Sequence, residues 1–575
     1  MANMRLERSA LPAAAIGLMT CALMIAIAVA ILKLLAPFQD ARITGAYFWA
    51  TIWTHGLAGY CGEGLFGVLN LRCRFDTIGQ WLAYPPFQYR AVICLVGAAV
   101  AALGAGAFMH SKAIALEKMG TVRGSWPVYD RHARQFLRRC IKKTGQYDAN
   151  SFWLAPYVPL SPEAEAYNVM LLGGHGSGKT SVLRGWAEQW LERGERCIVH
   201  DAKGDMLASL PVDDIVLVAP HDARNWIWDI GRDVTNSQTA REFAAKFVVG
   251  ATSGESMWRD GARALLVAAI EVLIHRHGTA WGWQELFDIL FQSPAKFRGD
   301  MVEARTPTAH LIEFDEGGAP TRTTMSLLLT MWVAALTTIR PLAETTRSGK
   351  SNIFSIRDWL SDRSELPRTL VVQHASDYEL LSEAVSGLLV DLISRQILSP
   401  AFPLRNEGWL HLILDELPVL GYLKEFPKLL NVGREKGVRT IVAVQDWDRI
   451  VEIFGQNDAA TLEARFKIKV VCQLGISETR NRVVSLYGGK RTIETWEHSG
   501  DPNGRKVRRE TEVDVIEARQ LSDDLGVRKR GKNLIVRVAI FGLGNPAILD
   551  IPATIWPARR EGHNPADWQA EHEVG

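Results

Sequence analysis

The sequence has almost no net charge: 65 lysines and arginines against 63 aspartates and glutamates leave a formal charge of +2. This balance excludes a global electrostatic argument for nucleic-acid binding, so any nucleic-acid surface must be local. Cysteine is also scarce, with 7 in 575 residues, and no CxxC pair or Cys/His cluster indicates a metal site. We expect five of the cysteines to be ordinary apolar residues: Cys21, Cys94, Cys140, Cys197 and Cys472.

Two long runs lack charged side chains altogether, residues 10–32 and residues 91–109. Each is long enough to cross a bilayer as a helix, so we predict two transmembrane helices. No small-x-small cleavage site follows the first run, which argues against a signal peptide. The flanking basic residues predict that both chain termini lie in the cytoplasm. They are Arg5 and Arg8 before the first run, and Lys112, Lys118, Arg123, Arg131, Arg134, Arg138, Arg139, Lys142 and Lys143 after the second.

The connecting segment, residues 37–90, is predicted to face the far side of the membrane. Residues 43–61 within it contain no Asp, Glu, Lys or Arg, and three interpretations stay open: an interfacial segment, a re-entrant segment or a third span. Cys61 and Cys73 fall in the same loop and can pair if that compartment is oxidising.

A complete phosphate-binding loop follows the apolar residues 167–172. The pattern G-x-x-x-x-G-K-[ST] lets backbone N–H groups surround phosphates, with Lys179 reaching the β- and γ-phosphates and Thr180 binding Mg²⁺. An amphipathic helix is predicted over residues 180–193, and its N-terminus would face the anion. The loop residues are Gly173, Gly174, His175, Gly176, Ser177, Gly178, Lys179 and Thr180.

A second motif supplies the carboxylates that such a loop needs. The apolar residues 409–414 end at Asp415 and Glu416, a Walker B pattern in which Asp415 holds Mg²⁺ and Glu416 polarises the attacking water. The next apolar strand, residues 440–444, ends at Gln445. In P-loop enzymes with a Glu beside the Walker B Asp, such a strand lies between the other two, so Gln445 fits a γ-phosphate sensor or else caps a turn.

Before that strand lies the basic segment 433–437, in which Arg434 is the candidate to stabilise transition-state charge in a neighbouring subunit. Further strands are predicted at 197–200, 215–219, 369–373, 470–474 and 534–539. Because strand ends carrying polar residues converge on one edge, the fold class is α/β, an open doubly wound sheet with its ligand at the carboxyl ends.

Helical periodicity at residues 261–275, 281–290 and 323–338 predicts an inserted all-α domain, in which Trp258, Trp281, Trp283 and Trp332 are expected to be core residues. The predicted organisation is a membrane anchor over 1–110, a cytoplasmic linker over 111–152, a nucleotide-binding domain over 153–252 and 348–557, the all-α domain over 253–347, and a C-terminal tail over 558–575.

Taken together, these features resemble the coupling proteins of bacterial conjugation and type IV secretion, the TraD/TrwB type of the HerA/FtsK group. The resemblance covers almost the whole chain. It implies a RecA-like P-loop NTPase domain in a homo-hexameric ring at the bacterial inner membrane. The ring would use ATP and Mg²⁺ to pump single-stranded DNA with attached relaxase into a secretion channel. The segments that carry it are PEAEAYNVMLLGGHGSGKT, CIVHDAKGDM, SMWRDGARALL, SIRDWLSD, LHLILDELPVLGYL, GREKG and FGLGNPAILDIP.

By the same resemblance, Lys179 is the nucleotide-binding lysine, Asp415 and Glu416 are the Walker B pair, Arg434 is the arginine finger and Gln445 is the sensor. The sequence departs from the family at His175, where Thr or a small residue is commoner. It also shows no long acidic C-terminal tail of the kind that some members use to dock partners.

Two basic clusters, residues 503–509 and 528–532, either contact a DNA backbone in a pore or form solvated hairpin turns. Two other functions stay open: a nucleotide-dependent receptor for protein substrates, and a double-stranded DNA pump of the FtsK type. The second usually carries a C-terminal winged-helix module, which is not recognisable after residue 557. An ABC transporter is disfavoured because no LSGGQ-like run precedes Asp415.

Overall fold

The computed structural model describes residues 121–148, 151–249, 256–347, 352–498 and 506–570. The predicted transmembrane helices, the segment 43–61 and the first four cysteines lie outside these residues. The chain divides into two compact units, Met1–Val122 with Ile493–Thr511, and Arg123–Thr492 with Glu512–Gly575. The large sheet and the nucleotide-binding motifs belong to the second unit.

The strands of the described residues are β1 Thr121–Arg123, β2 Val128–Tyr129, β3 Trp153–Ala155, β4 Val158–Pro159, β5 Val169–Leu172, β6 Arg196–Asp201, β7 Ile215–Val218, β8 Ile227–Trp228, β9 Ile353–Phe354, β10 Thr369–Gln373, β11 Arg405–Leu414, β12 Lys436–Val444, β13 Ile468–Val471, β14 Lys490–His498, β15 Lys506–Asp514, β16 Gly526–Arg530, β17 Asn533–Phe541 and β18 Ala547–Pro552.

The α-helices are α1 Asp130–Lys142, α2 Pro162–Glu165, α3 Lys179–Glu192, α4 Asp205–Ser209, α5 Ile230–Asp233, α6 Ser237–Phe247, α7 Ser256–His277, α8 Trp283–Leu290, α9 Pro294–Glu303, α10 Arg322–Thr338, α11 Arg340–Arg347, α12 Ile356–Trp359, α13 Glu379–Leu398, α14 Phe426–Val432, α15 Trp447–Phe454, α16 Gln456–Ala464, α17 Glu478–Arg482 and α18 Asp567–Ala570. Short 3₁₀ turns cover Ala309–Leu311, Ser376–Tyr378, Leu417–Leu420 and Gly433–Glu435, and π-helical turns cover Val483–Gly488 and Gln520–Asp524.

An eleven-stranded sheet organises the second unit, in the order β2-β18-β17-β13-β5-β12-β11-β6-β10-β7, with β16 paired to β17. The seven strands from β13 to β7 run parallel, while β17 runs antiparallel to β13, β16 and β18. The sheet is covered on both faces: Val169 and Leu171 enter one core, and Met170 and Leu172 enter the other. Burial on both faces explains why these strands are continuous apolar runs in the sequence.

The parallel register brings the strand ends to one edge. Leu172 of β5 pairs with Val444 of β12, and Leu414 of β11 pairs with Val442 of β12 and with His200 of β6. The residues that follow these strands therefore share the carboxyl edge of the sheet, which is the edge where ligands bind in folds of this kind.

The helices α7 to α11 follow β8 and precede β9. They share one continuous hydrophobic core with a face of the sheet, so that Leu265, Leu273 and Trp283 belong to the same core as Met170 and Leu172. Burial is greatest for Trp281 and Trp283, whereas Trp258 and Trp332 are partly buried against this core. The predicted core role is confirmed for Trp281 and Trp283, while Trp258 and Trp332 pack against the core from its margin.

The first unit is described only at Thr121, Val122 and the parts of β14 and β15 that fall within Ile493–Thr511. Strands β1, β14 and β15 form a three-stranded sheet in that order.

Candidate nucleotide-binding site

The loop after β5 has the backbone conformation of a phosphate cradle. Gly176 and Gly178 adopt left-handed angles, with φ of +70° and +94°, which an L side chain rarely adopts. At Gly173 the constraint is close approach, since a Cβ atom there would lie 2.5 Å from Ser177 Oγ and 2.8 Å from Cys472 Cβ. A side chain is therefore disfavoured by the backbone angle at Gly176 and by lack of space at Gly173.

The side chain of Lys179, the first residue of α3, is buried and turned back over the loop. Its Nζ donates to the carbonyl oxygens of Gly173 and Gly174, the latter at 3.0 Å. Burial lowers the pKa of Lys179, and the nearby Glu416 carboxyl group acts in the opposite direction. The lysine of the loop and the second Walker B carboxyl group therefore lie within electrostatic reach of each other.

The remaining loop residues differ in exposure. Ser177 is buried and its Oγ donates to Gly174 O at 2.8 Å. Thr180 is half-buried in the first turn of α3, and His175 is exposed at the tip of the loop. The departure at His175 thus places an imidazole where it disturbs neither the glycines nor Lys179.

The two acidic residues after β11 have environments that oppose their ionisation. Burial, together with the smaller effect of the neighbouring Asp201 carboxyl group, raises the pKa of Asp415 to about 6. Burial also raises the pKa of Glu416 to about 7, although its Oε1 accepts a hydrogen bond of 3.2 Å from the backbone N–H of Gln445. Two carboxyl groups held this way are suited to a divalent cation and to proton transfer near neutral pH.

Strand β12 lies between β5 and β11, which is the strand order expected from the sequence. Gln445 therefore follows the strand that separates the phosphate loop from the acidic pair, and its side chain is exposed. The contact from its backbone to Glu416 fixes the two residues beside each other. The structure brings Gln445 to the position of the predicted sensor, and its role stays a prediction.

Arg434 lies at the other end of the sheet. It belongs to the 3₁₀ turn Gly433–Glu435, directly before β12. Since β12 has nine residues, about 30 Å separate Arg434 from Gln445 at ~3.3 Å per residue. The exposed guanidinium of Arg434 cannot reach the phosphate loop of the same chain, and its role in a neighbouring subunit stays a prediction.

Lys203 also lies near the acidic pair, although no role was predicted for it from the sequence. Strand β6 is the neighbour of β11, and the backbone N–H of Asp415 donates to His200 O at 3.3 Å. Lys203 follows two residues after β6 and has an exposed side chain. Its positive charge lowers the pKa of both Asp415 and Glu416. The sequence does contain a sign of this role, because Lys203 comes shortly after a predicted strand, much as Asp415 and Glu416 follow theirs.

The basic cluster 528–532 covers the end of β16 and the turn to β17, and Arg528, Lys529 and Arg530 are exposed on β16. The cluster 503–509 falls largely outside the described side chains. Over the ranges that the structure describes, no group of three or more His, Cys, Asp or Glu residues is arranged to hold a metal by itself. Cys197 and Cys472 are buried and Cys140 is half-buried.

Among the described residues, no single helix is both long enough and apolar enough to cross a membrane. One bent pair, Arg322–Thr338 with Arg340–Arg347, meets the length and composition criteria together. Leu327, Leu328 and Met331 of this pair are buried in the core shared with the sheet.

Three features share one edge of the parallel sheet: a glycine cradle after one strand, an acidic pair two strands away, and a polar residue after the strand between them. Together they define the P-loop class of nucleotide-binding proteins. Comparison with known proteins narrows the class. The family model described as the type IV secretion-system coupling protein DNA-binding domain matches residues 153–525, and the chain belongs to this family. The resemblance drawn from the motifs is thereby confirmed.

Solved structures show the same fold. The chain is similar to the bacterial conjugative coupling protein TrwBdeltaN70 in its unbound monoclinic form, with a TM-score of 0.61, 22% identity, and coverage of 77% of this chain and 96% of that one. It is also similar to plasmid coupling protein TrwB in complex with ADP and Mg²⁺, with a TM-score of 0.59, 21% identity, and coverage of 78% and 98%.

A curated relative is the coupling protein TraD of Escherichia coli (strain K12), 23% identical over 400 residues. The match covers 67% of this chain and 54% of TraD, so the chain spans about half the length of that relative.

Proposed function

We propose that the protein is an ATP-hydrolysing coupling protein that moves single-stranded DNA with its attached relaxase into a type IV secretion channel. The observation that carries this proposal is the convergence of Lys179, Asp415, Glu416 and Gln445 on one edge of the sheet, in a chain of the coupling-protein family. A receptor without a motor function needs nucleotide binding but not the Glu416–Gln445 pair.

ATP and Mg²⁺ are the ligands that the site fits. The similar TrwB structures were solved with ADP and Mg²⁺ and with the ATP analogue ADPNP. In this chain the cradle around Gly173 would take the phosphates, and the Thr180 hydroxyl and Asp415 carboxylate would hold Mg²⁺. A bound divalent cation neutralises phosphate charge, and the buried Asp415, with its raised pKa, offers the carboxylate that such a cation ionises.

Three side chains of the protein have separate roles in ATP hydrolysis. Lys179 stabilises the charge on the β- and γ-phosphates from its buried position. Glu416 accepts the proton of the attacking water, and a pKa of about 7 suits an acceptor that works near neutral pH. Gln445, fixed to Glu416 through its backbone N–H, senses the γ-phosphate.

Assembly into a homo-hexameric ring completes each site. Arg434 lies on the opposite edge from the phosphate loop, so it acts on the nucleotide of the adjacent subunit. We place the ring at the bacterial inner membrane, anchored by helices over 10–32 and 91–109 with both chain termini in the cytoplasm. Its partners are single-stranded DNA, the relaxase and the components of the secretion channel.

The test compares the full-length protein with Lys179→Ala. The variant is expected to lose DNA-stimulated ATP hydrolysis and plasmid transfer while still inserting into the membrane. Unchanged transfer by Lys179→Ala would contradict the motor function. Hydrolysis by the parent protein should rise with single-stranded DNA, and binding of that DNA should weaken steeply with salt. A protein that shows neither effect is a receptor for protein cargo instead.

A further inference from the structure

Two cationic side chains contact one aromatic ring at the edge where the parallel strands begin, which we call the amino edge of the sheet. The Nζ of Lys467 lies 3.7 Å from the centre of the Tyr167 ring, and the guanidinium carbon of Arg434 lies 5.8 Å from the same centre. Both distances fall within the range of cation–π attraction. Lys467 and Arg434 are exposed, and Tyr167 is partly buried.

The sheet explains how these residues come together from three parts of the chain. Tyr167 precedes β5 by two residues, Arg434 precedes β12 by two, and Lys467 directly precedes β13. Strands β12, β5 and β13 are neighbours and run parallel. Their starting points therefore share one edge, opposite the phosphate loop.

Hydrogen bonds hold the surrounding backbone in place. The Asn168 amide donates to Leu430 O at 2.8 Å and to Arg465 O at 3.1 Å. The guanidinium of Arg465 donates to Asn431 Oδ1 at 2.7 Å. The segments that carry Arg434 and Lys467 are thus both tied to the start of β5, and the two cations are held at a set place on the molecule.

The electrostatics favour an anion at this place. Two like charges that share one ring repel each other, and an approaching anion relieves that repulsion. Among the described residues, Tyr167 is the contact of both side chains, and neither Arg434 nor Lys467 forms an ion pair with a carboxylate. A bound triphosphate is an anion that two such cations can stabilise. Because this edge is too far from the phosphate loop of the same chain, that triphosphate must belong to an adjacent copy.

We propose that Lys467 acts with Arg434 as a second cation on the triphosphate bound by the adjacent subunit, and that Tyr167 positions both. This inference rests on the proposed hydrolysis between subunits. Lys467 is the catalytic residue in this assignment, and Tyr167 is a positioning residue that acts through the two cations.

The first experiment measures ATP hydrolysis and nucleotide affinity of the assembled full-length protein. Lys467→Gln is expected to lower kcat by about tenfold, because the variant lacks a positive charge that stabilises the transferred phosphoryl group, while the nucleotide Kd changes less than about twofold. Lys296→Gln is the matched control, since Lys296 is an exposed lysine of α9 far along the chain from the cluster, and it should leave kcat unchanged. An unchanged kcat for Lys467→Gln overturns the assignment.

Tyr167 is tested by a pair of variants. Tyr167→Leu removes the ring and should lower kcat without changing the nucleotide Kd, whereas Tyr167→Phe keeps the ring and should retain most of kcat. Equal losses in both variants, or a loss of nucleotide affinity, would overturn the positioning role.

A mixing experiment tests action between subunits. A Lys179→Ala subunit lacks its own site but still presents Arg434 and Lys467, so mixed assemblies of Lys179→Ala with Lys467→Gln should hydrolyse ATP faster than the sum of the two separate proteins. No recovery on mixing overturns the inference. Failure of the proposed function is a different result: Lys179→Ala alone would then hydrolyse ATP normally.

Discussion

Replacing Glu416 by Gln should stabilise the protein while it abolishes hydrolysis. Glutamine has nearly the same shape, and its side-chain oxygen can still accept the hydrogen bond from the Gln445 backbone. The substitution removes only the ionisable carboxyl group. The surroundings oppose the ionisation of that group, because burial raises the pKa of Glu416 from 4.5 to about 7. Groups placed for catalysis at the expense of stability are expected at active sites.

The magnitude follows from linkage between proton binding and folding. Each pKa unit corresponds to about 1.4 kcal/mol, so the shift from 4.5 to about 7 amounts to roughly 3 kcal/mol. Discounting for the partial solvent exposure of this side chain leaves on the order of 2 kcal/mol. The folded state keeps the proton to higher pH than the unfolded state, so the free energy of unfolding of the parent protein falls as the pH rises from about 4.5 to about 7. The advantage of Glu416→Gln should therefore be small at pH 4.5 and fully developed above pH 7.

The assay is urea denaturation of the nucleotide-free protein and of Glu416→Gln at several pH values, followed by tryptophan fluorescence. Glu452→Gln is the control, because Glu452 is an exposed carboxylate on α15, and it should give no gain that grows with pH. A stability difference for Glu416→Gln that is independent of pH, or that is largest in acid, would refute the link between burial and the carboxyl pKa.

The remaining predictions concern the same edge of the sheet. Lys203→Ala removes a positive charge that lowers the pKa of Asp415 and Glu416, so the acid limb of the pH profile of kcat/KM should move to higher pH. Lys203→Arg should restore the original profile. An acid limb that does not move in Lys203→Ala would exclude Lys203 from the site. Gly173→Ala places a methyl group against Ser177 Oγ and should cost about 1–3 kcal/mol through overpacking, measured as lost nucleotide affinity; wild-type affinity would show that the loop can relax.

The parallel part of the fold could be predicted from sequence because its strands are buried on both faces. Residues 369–373 were predicted as a strand and form β10, and the predicted run 440–444 is the end of β12. Such strands appear as short apolar runs without alternation, each followed by polar residues. Since parallel strands place their carboxyl ends together, the positions of Gly173, Asp415 and Gln445 on one edge followed from the same pattern.

The antiparallel border of the sheet was harder to predict. Strand β17 was predicted over 534–539, but its pairing with β13, β16 and β18 depends on strand order, which periodicity does not contain. The extension of β11 back to Arg405 was also missed, because the ladder there is interrupted before Leu410 and the segment is polar. Contacts that depend on register, such as the meeting of Lys467 with Tyr167, are absent from any single stretch of sequence.

One strand joins the two functional edges of the subunit. Strand β5 starts two residues after Tyr167, whose ring contacts the two exposed cationic side chains. The strand ends directly before Gly173, where the phosphate cradle begins. Under the proposed mechanism, each subunit presents half of a site on each of two opposite edges, and neither half can complete the other within one chain. A two-fold dimer would pair like edges and leave the cations and cradles unmatched, whereas a head-to-tail interface pairs cation edge with cradle edge at every contact. Only a closed ring of such contacts leaves no unmatched edge, so the proposed mechanism predicts a ring as the hydrolysing form.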